Sequence, residues 1–301
     1  MRLHDDEIPI DSELVRRLLE AQVPELAHER LVAMESTGSS NVLYRLGEHR
    51  VVRLPRRPGG GAALHKEVRA AESLAAHLTI PTPRFEFLGR PGSEFHETWG
   101  VLRWLAGTTP PIGPDVRGTR GELVRSLAAF IRELRAVRPL REAAEDPAFD
   151  SYRGRSLVEF DAQTRRNLTQ SKRLLGDRLD LERALAVWDA GLAAPPNESP
   201  RWYHGDLLAE NLLIDASGLA AVLDFGCVGI GDPAIDLVGA WELFEPTDRE
   251  AFRHELGVDP AEWARGRAWA VAVAAVALPY YWASLPRRRR DRCELLDRAL
   301  A

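Results

Sequence analysis

The sequence predicts an α+β fold in two parts, a five-stranded antiparallel sheet with one covering helix followed by a mostly helical region. Two patterns predict it: short β-branched segments with polar breaks fill much of residues 1–106, and helical periodicity dominates residues 107–301. A length of 301 residues, with 45% hydrophobic and 28% charged residues, suits a globular protein. We therefore expect two domains that meet near residue 106.

The first part begins with a helix and a meander of strands. Residues 12–22 place leucines on one side of an amphipathic helix, which Asp11 or Ser12 is expected to cap. Three short segments follow, each rich in β-branched or apolar residues and each separated from the next by a Gly-rich or polar break. They predict three consecutive strands, in the segments LVAME, VLYRL and VVRLP.

A second helix, predicted over residues 64–78, carries an acidic residue in an unexpected place. Glu67 falls inside the apolar stripe of this helix rather than opposite it. Because a carboxylate that faces a core is costly unless it is paired, we expect a cationic partner on the sheet below. Two further strands, at residues 85–88 and 98–105, complete the predicted five-stranded sheet.

The second part is predicted to be helical around one hairpin. Residues 107–118 are rich in Gly, Pro and Thr and indicate a linker, after which residues 119–137 and 157–193 have helical periodicity. Within residues 202–226, a strand-like WYH precedes the segments NLLID and LAAVLDF, which flank an Ala-Ser-Gly turn. This pattern predicts a β-hairpin among helices, which resume from residue 234.

Composition excludes several classes of protein. A formal net charge of -5 argues against a nucleic-acid-binding protein, and Cys227 and Cys293 make no disulfide framework. The N-terminal residues lack a secretory pattern, so we expect a cytoplasmic protein. The apolar run at residues 268–283 is shorter than the ~20 residues that span a bilayer and predicts a buried helix, not a membrane segment. The arginines of residues 287–290 could contact anionic lipid or nucleic acid, but a solvated run is the favoured interpretation.

The hairpin region carries the strongest functional pattern. It contains His204-Gly205-Asp206, then Asn211, then Asp224 at the start of Asp-Phe-Gly. Asp206 could orient an attacking hydroxyl and accept its proton, while Asn211 and Asp224 offer oxygen ligands for Mg²⁺. The spacing matches the pattern of kinases, although all three residue types also occur in ordinary turns. The order and spacing of the three favour phosphoryl transfer.

These motifs resemble those of a known family. The segments HGDLLAENLL, AAVLDFG and GDPAIDL resemble the aminoglycoside phosphotransferase family, relatives of protein kinases that modify antibiotics and small metabolites. The resemblance implies a bilobal protein-kinase-like fold, with a nucleotide-binding lobe in residues 1–106 that ends in the hinge. It implies a helical lobe in residues 107–301 with the catalytic loop and the acceptor site. It also implies Mg²⁺, ATP or GTP as the phosphate donor, and the hydroxyl of a small molecule as the acceptor.

On the nucleotide side, the resemblance implies a cation on the third strand that pairs with a Glu on the covering helix. No Lys lies on a strand of the sheet, so Arg53 in VVRLP is the candidate, with Glu67 as its partner. Arg is chemically suited because it binds phosphate bidentately and is always charged. The alternative interpretation of Arg53 is a surface residue on an edge strand.

Further nucleotide contacts follow from the same resemblance. Ser39 and Ser40 lie between the first two strands, where a phosphate-covering loop is expected, although the segment lacks a GxGxxG pattern. The hinge is expected at residues 101–107, where backbone near Arg103 and Leu105 would bond to the base edge.

Other polar residues of these motifs are expected to be structural. His204 is expected to brace the catalytic loop, and Asp232 and Asp236 to hold loop backbone in place. Zinc binding by His204 would need further ligands that the sequence does not place. Cys227 is expected to pack.

The acceptor is left open by the sequence. An acidic stretch could form a wall for a polycationic aminoglycoside, or simply a solvated helix face. Aromatic residues could form an apolar wall for a macrolide, or simply belong to the core. Three functions remain: an antibiotic kinase, a metabolic kinase for a sugar, amino sugar or amino alcohol, and a silent nucleotide-binding module. The acidic residues are Glu242, Glu245, Asp248, Glu250 and Glu255, and the aromatic ones are Trp241, Trp269, Tyr280, Tyr281 and Trp282.

Overall fold

The computed structural model describes residues 6–34, 40–112 and 120–301 of the chain. The backbone forms two compact units. The sheet unit takes the chain up to Ala76 together with Pro81–Ala106, and the helical unit consists of His77–Ile80 and Gly107–Ala301.

The sheet unit contains the five antiparallel strands that the sequence predicts. Their order is β1-β2-β3-β5-β4, so β3 lies in the middle and has a neighbour on each side. One face of the sheet packs against the apolar side of the first helix, and together they form a core that includes Leu19, Leu46, Val52 and Trp99. The strands are β1 (Leu31–Ala33), β2 (Asn41–Leu46), β3 (Arg50–Pro55), β4 (Phe85–Gly89) and β5 (Trp99–Arg103).

Both helices of the sheet unit are capped by carboxylates. In α1 (Ser12–Gln22), Asp11 Oδ1 accepts a hydrogen bond from the amide of Leu14, as predicted. The second helix, α2 (Gly61–Leu74), begins three residues earlier and ends four residues earlier than predicted. Glu97 accepts hydrogen bonds from the amides of Gly59 and Gly61, so the start of α2 is fixed by a residue far along the chain.

The helical unit is built from helices around two small sheets. β6 (Arg201–Tyr203) pairs with β9 (Gly229–Gly231), and β7 (Leu212–Asp215) pairs with β8 (Gly218–Val222) as the predicted hairpin. The α-helices are α3 (Arg120–Ala136), α4 (Arg141–Ala144), α5 (Asp161–Leu175), α6 (Leu181–Ala193), α7 (Gly239–Leu243), α8 (Pro246–Leu256), α9 (Pro260–Tyr281) and α10 (Pro286–Leu300).

Two details of the helical unit differ from the prediction. The helical stretch predicted over residues 157–193 is interrupted at Gly176, whose φ of 58° lies in the left-handed region and ends α5. The strand β9 was not predicted, because Gly229–Gly231 contains two glycines and a single β-branched residue. Its pairing with β6 is a tertiary contact that local pattern does not reveal.

The long apolar run is helical, as predicted: α9 contains it up to Tyr281, and Trp282 and Ala283 follow the end of the helix. Residues such as Ala268, Val271, Ala275 and Leu278 are buried, although Pro279 lies inside the helix near its end. None of the helices in the described residues is both long enough and apolar enough to cross a membrane.

Helices α6 and α9 approach each other closely at Gly191. A Cβ atom at this position would overlap the Cβ of Ala268. Gly is a poor helix former, by about 1 kcal/mol relative to Ala, so its presence inside α6 is explained by this close approach.

We expect Gly191→Ala to lower the free energy of unfolding by about 1–3 kcal/mol, because overpacking outweighs the gain in helix propensity. Urea unfolding followed by circular dichroism would measure the change. Gly121→Ala in the first turn of α3 is the matched control, since its Cβ would be in contact only with the flexible Arg125 side chain. A Gly191→Ala protein at least as stable as Gly121→Ala would contradict the packing argument.

Candidate active site

The loop of residues 204–211, named the catalytic loop for the role that the sequence motif predicts, starts at the end of β6 and finishes in the 3-10 turn Ala209–Asn211. Its second residue, Gly205, has a φ of 85°, a region that strongly favours glycine. A Cβ at this position would lie 2.7 Å from the carbonyl oxygen of Cys227. The loop therefore turns sharply between His204 and Asp206, which directs Asp206 away from the strand.

Asp206 and Asn211 are in direct contact. The side-chain nitrogen of Asn211 donates to Asp206 Oδ2 at 2.9 Å and to the Asp206 carbonyl oxygen at 2.9 Å. Because both bonds use the amide nitrogen, the amide oxygen of Asn211 is suited to bind a hard cation. The four-residue spacing of the motif thus produces a loop closed on itself.

Asp224 lies where the hairpin strand β8 returns to the loop. The amide of Leu223, its neighbour, donates to the carbonyl oxygen of Asn211 at 2.7 Å. Asp224 has a φ of 57°, and its carboxylate accepts from the amide of Gly226 at 3.2 Å. It is the one non-glycine residue with positive φ in the described part of the chain, and such strained positions are often functional.

The side chains at this site suit Mg²⁺, which binds through a few protein oxygens together with water and phosphate. They do not make a site in which protein side chains supply all the ligands. Carboxylate and amide oxygens, as in Asp224 and Asn211, are ligand types that Mg²⁺ prefers, with water and phosphate completing its shell. Within residues 6–34, 40–112 and 120–301 there is no group of three or more His, Cys, Asp or Glu residues that could hold a metal ion. A metal here would depend on the Asn oxygen and on a bound phosphate.

His204 braces the catalytic loop, as the sequence predicts. Its Nε2–H donates to the Leu223 carbonyl oxygen at 2.9 Å, and its Nδ1 accepts from the amide of Asp206 at 3.2 Å. The ring is fully buried and packs edge-on against Phe225. Burial lowers the pKa of His204, so the ring is neutral and both nitrogens serve the loop. These bonds also leave His204 unsuited to bind zinc.

The two aspartates of the GDPAIDL segment hold backbone, as predicted. Asp236 accepts hydrogen bonds from the amides of His204 at 2.9 Å and Gly205 at 2.7 Å. Burial raises the pKa of the Asp236 carboxyl despite these bonds. The Asp232 carboxylate accepts a hydrogen bond from the amide of Ala234 and pairs with Arg265 at 2.7 Å. Asp236 therefore fixes where the catalytic loop begins, while Asp232 holds the turn that carries Asp236.

Arg153 is a site residue that the sequence did not reveal. Its guanidinium contacts Asp206 Oδ1 and the Gly205 carbonyl oxygen, and its Nε–H donates to the hydroxyl of Tyr152 at 2.8 Å. Burial alone would raise the pKa of Asp206, but the charge and hydrogen bond of Arg153 lower it below its ordinary value. Asp206 is therefore a carboxylate at neutral pH.

Arg153 escaped sequence reasoning because its partner lies 53 residues further along the chain. Tertiary packing fixes its position. The segment Tyr152–Gly154 lies on the β6–β9 sheet, where the amide of Asp232 donates to the Gly154 carbonyl oxygen at 2.8 Å. A Cβ at Gly154 would overlap the ring of Tyr203, so a larger residue could not follow Arg153 in this conformation.

In the sheet unit, Arg53 and Glu67 form the pair that the sequence predicts. Two hydrogen bonds of 2.8 Å join the guanidinium to the carboxylate, and the Glu67 residue is only 2% exposed. With its amide oxygen directed at Arg53, Asn41 accepts two further bonds, at 2.9 and 3.0 Å. Since β3 is central and Arg53 is buried, the alternative of a surface residue on an edge strand is wrong.

The structure describes three of the four other residues that were predicted to contact the nucleotide: Ser40, Arg103 and Leu105. Ser39 is outside the described residues, and Ser40 is exposed, with its carbonyl oxygen accepting from the amide of Arg56 at 2.9 Å. The amide of Arg103 donates to the carbonyl oxygen of Arg84 at 2.9 Å, and Leu105 follows β5 in a partly buried position. The Arg103 amide is thus already used by the sheet.

Trp104, in the predicted hinge segment, takes part in packing. The guanidinium of Arg45 lies 3.7 Å from the centre of its ring. Its amide donates to the carbonyl oxygen of His49 at 2.7 Å. The ring and the backbone amide of Trp104 are thus both in contact with neighbouring residues.

The acidic stretch, for which an acceptor wall and a solvated helix face were the alternatives, is largely engaged in ion pairs. Glu242 is 1% exposed and contacts Arg292, so it belongs to the interior. Glu245 pairs with Arg298 at 3.3 Å, and Glu250 and Glu255 also have arginine partners. The stretch is therefore not a continuous wall of unpaired charge.

The aromatic residues considered as an acceptor wall differ in burial, so they do not form one surface. Trp241 and Trp269 are buried, and Trp241 packs against Trp263 with ring centres 4.7 Å apart. Tyr280, by contrast, is 55% exposed near the end of α9. Tyr152, next to Arg153, is 51% exposed and was not among the predicted aromatics.

A family model agrees with this geometry. Residues 36–269 match the model of the phosphotransferase enzyme family, designated APH. The chain belongs to this family. The match spans the catalytic loop, Asp224 and the Arg53–Glu67 pair. No curated protein sequence matches the chain.

Solved structures share the fold of this phosphotransferase. The GDP complex of aminoglycoside 2'-phosphotransferase-IIIa is 19% identical, covers 97% of this chain and 99% of its own, and superposes with a TM-score of 0.74. ADP-bound APH(2'')-Ib is 18% identical, with coverages of 96% and 98% and a TM-score of 0.64. Macrolide 2'-phosphotransferase MphH from Brachybacterium faecium is 21% identical, with coverages of 96% and 98% and a TM-score of 0.63.

Family and fold together establish the class of enzyme. The phosphotransferase has the kinase-like α+β fold, with its five-stranded antiparallel sheet followed by a mostly helical remainder. It is a small-molecule kinase that transfers a phosphoryl group to a hydroxyl.

We expect Glu67→Ala to lower the free energy of unfolding by about 3–5 kcal/mol, because it removes the carboxylate that compensates the buried charge of Arg53. Urea unfolding would measure the loss. The matched control is Glu86→Ala, which removes one of the two carboxylates that pair with Arg50, a partly exposed residue of the same strand as Arg53, and leaves Glu29 in place. That control should cost about 0–1 kcal/mol. Equal losses of unfolding free energy in the two variants would show that the buried Arg53–Glu67 pair stabilises the fold no more than the partly exposed pair does.

Proposed function

We propose that the protein transfers the γ-phosphate of ATP or GTP, with Mg²⁺, to a hydroxyl of a small molecule, and that Asp206 is the general base. The contact of Asp206 with Asn211, closed by the Leu223–Asn211 backbone bond beside Asp224, carries this proposal. It combines one carboxylate suited to a proton with two oxygen donors suited to a cation.

In the proposed reaction, Asp206 orients the acceptor hydroxyl and receives its proton. The acceptor oxygen forms a bond to the γ-phosphorus as the bond from that phosphorus to the bridging β–γ oxygen breaks, and the nucleoside diphosphate leaves. Arg153 keeps Asp206 ionised and fixes the orientation of its carboxylate. Asn211 and Asp224 would hold Mg²⁺, which when bound neutralises the charge on the phosphates.

The sheet unit supplies the proposed nucleotide contacts. Arg53, fixed by Glu67, binds the α- and β-phosphates as an always-charged donor. Ser39 and Ser40 belong to the proposed phosphate-covering loop. Backbone near Arg103 and Leu105 bonds to the base. In this proposal residues 1–106 form the nucleotide-binding lobe and residues 107–301 carry the catalytic loop and the acceptor site.

We infer that the acceptor is an aminoglycoside or a related antibiotic, which would make the enzyme a resistance factor. The similarity to aminoglycoside phosphotransferases in fold supports this choice. A macrolide is the second candidate. The pairing of the acidic stretch with arginines and the exposure of Tyr152 beside Arg153 favour a less cationic acceptor.

A cytoplasmic location is part of the proposal. Cys227 and Cys293 both carry free thiols, which agrees with a reducing compartment.

Nucleotide turnover would test the proposal directly. Purified protein with Mg²⁺ and either ATP or GTP would be assayed against aminoglycosides, macrolides, amino sugars and amino alcohols. Diphosphate release that depends on one class identifies the acceptor, and release with amino sugars or amino alcohols alone would favour a metabolic kinase. Nucleotide binding without stimulation by any acceptor would favour a silent module, and no binding at all would contradict the proposal.

We expect Asp206→Asn to lower kcat by about 10²–10⁴-fold, because the general base is lost while the side chain keeps its shape. Nucleotide affinity, measured by calorimetry, should stay within about threefold, since Asp206 acts on the acceptor. The control is Asp215→Asn, which changes an exposed residue at the turn of the β7–β8 hairpin and should retain full activity. An Asp206→Asn enzyme within a factor of a few of wild type would remove Asp206 from the role of base.

We expect Asp224→Asn to weaken Mg²⁺-dependent nucleotide binding by at least about tenfold, because the metal loses a charged ligand. Asn tolerates the left-handed backbone at this position, so the substitution tests charge rather than conformation. Titrations with and without Mg²⁺ would measure the effect, and binding without the metal should be unchanged. Identical titrations with Mg²⁺ for wild type and variant would exclude Asp224 as a ligand.

A further inference from the structure

The C-terminal helix α10 reaches the catalytic loop through two arginines. Arg288 contacts Glu210 Oε2 at 2.6 Å, and Arg292, one turn later, contacts Glu210 Oε1 at 3.1 Å. Glu210 immediately precedes Asn211, the proposed metal ligand. Both oxygens of a loop carboxylate are thus bound from a helix about 80 residues further along the chain, at separations of 78 and 82 residues.

A second carboxylate completes the network. Glu242 of α7 accepts a hydrogen bond from the amide of Ala209 at 2.6 Å, and its other oxygen contacts Arg292. Arg292 is 4% exposed and so bridges two acidic groups, Glu210 and Glu242, in the interior. The network therefore holds both the backbone and a side chain of the turn that carries Asn211.

Buried charges of this kind have strict geometry. Taking a carboxylate out of water is costly unless a cation and hydrogen bonds replace the lost solvent, and removing one partner leaves the other unpaired. Glu242 satisfies this requirement only if Arg292 and the Ala209 amide keep their places. The position of the loop is thereby coupled to the position of α10.

The arginine run at residues 287–290 has divided roles. Arg287 and Arg290 are exposed, as expected for a solvated run. Arg289 donates to the carbonyl oxygen of Trp282 at 3.1 Å and stacks on its ring. Arg288 is directed inward, with only 12% of its side chain exposed, so the interpretation of a wholly solvated run is wrong at this position.

We propose that Arg288 and Arg292 are positioning residues for phosphoryl transfer, through which α10 sets the geometry of the catalytic loop around Asn211. The inference rests on the proposed function of that loop. Misplacement of a reacting group by about 1 Å can cost about 10²-fold in rate, so a small shift of the turn would be visible in kcat. The arginines contact neither the acceptor nor the nucleotide in this proposal.

The kinetic test is a double-mutant cycle on Arg288 and Glu210, the more accessible pair. Arg288→Met and Glu210→Gln should each lower kcat about tenfold, with KM for nucleotide changed by less than about threefold. The double variant should be no worse than Glu210→Gln alone, because Glu210→Gln already removes the charge that Arg288 and Arg292 both contact. Arg288→Lys should recover most of the activity, and the exposed control Arg290→Met should stay at wild-type level. The proposal would be overturned if the kcat losses of the two single variants multiplied in the double variant. It would also be overturned if Arg288→Met were as active as Arg290→Met.

A structural readout separates this inference from the proposed function. Hydrogen–deuterium exchange of a peptide covering residues 207–211 should be faster in Arg288→Met than in wild type or Arg290→Met. The measurement does not need turnover, so it decides whether α10 holds the loop even if no acceptor supports activity. Unchanged exchange in Arg288→Met would overturn the coupling. If exchange is faster in Arg288→Met but the wild-type protein has no activity, the coupling stands and only the proposed function is contradicted.

Discussion

The catalytic loop depends first on Asp236. Its carboxylate accepts the amides of His204 and Gly205, which turn away from β6 and have no strand partner at that point. Without an acceptor, two buried amides would be left unsatisfied at the start of the loop, at a cost of about 1–3 kcal/mol each. The direction of Asp206 and the reach of Asn211 back to it both follow from that anchored turn.

Other carboxylates that are buried or largely buried have arginine partners. Glu67 pairs with Arg53 in the sheet, Asp232 with Arg265, and Glu242 with Arg292. Arginine suits these positions because its planar guanidinium can bind two acceptors at once and remains charged when buried. The chain has few alternatives, since Lys66 and Lys172 are its two lysines.

Much of this arrangement could be predicted from local pattern. Glu67 in an apolar stripe predicted a cation on the sheet, and Arg53 meets it with two bonds of 2.8 Å. The pattern of residues 202–226 predicted a hairpin, with Asp206, Asn211 and Asp224 in the order and spacing that kinases have. Both predictions rested on residues whose spacing is fixed by a regular element or by a short loop, so sequence separation and spatial separation are tightly linked.

The sequence by itself determined the five strands of the sheet unit, the β7–β8 hairpin, most helices, the kinase-like motifs and the charge that needed a partner. The tertiary structure decided which distant residues meet them: Glu97 at the start of α2, Arg153 on Asp206, and Arg292 on Glu242. It also decided that the acidic stretch would be paired and partly buried. The physical reason is that such contacts join separate elements, and periodicity reports which face of an element is buried but not what lies against it.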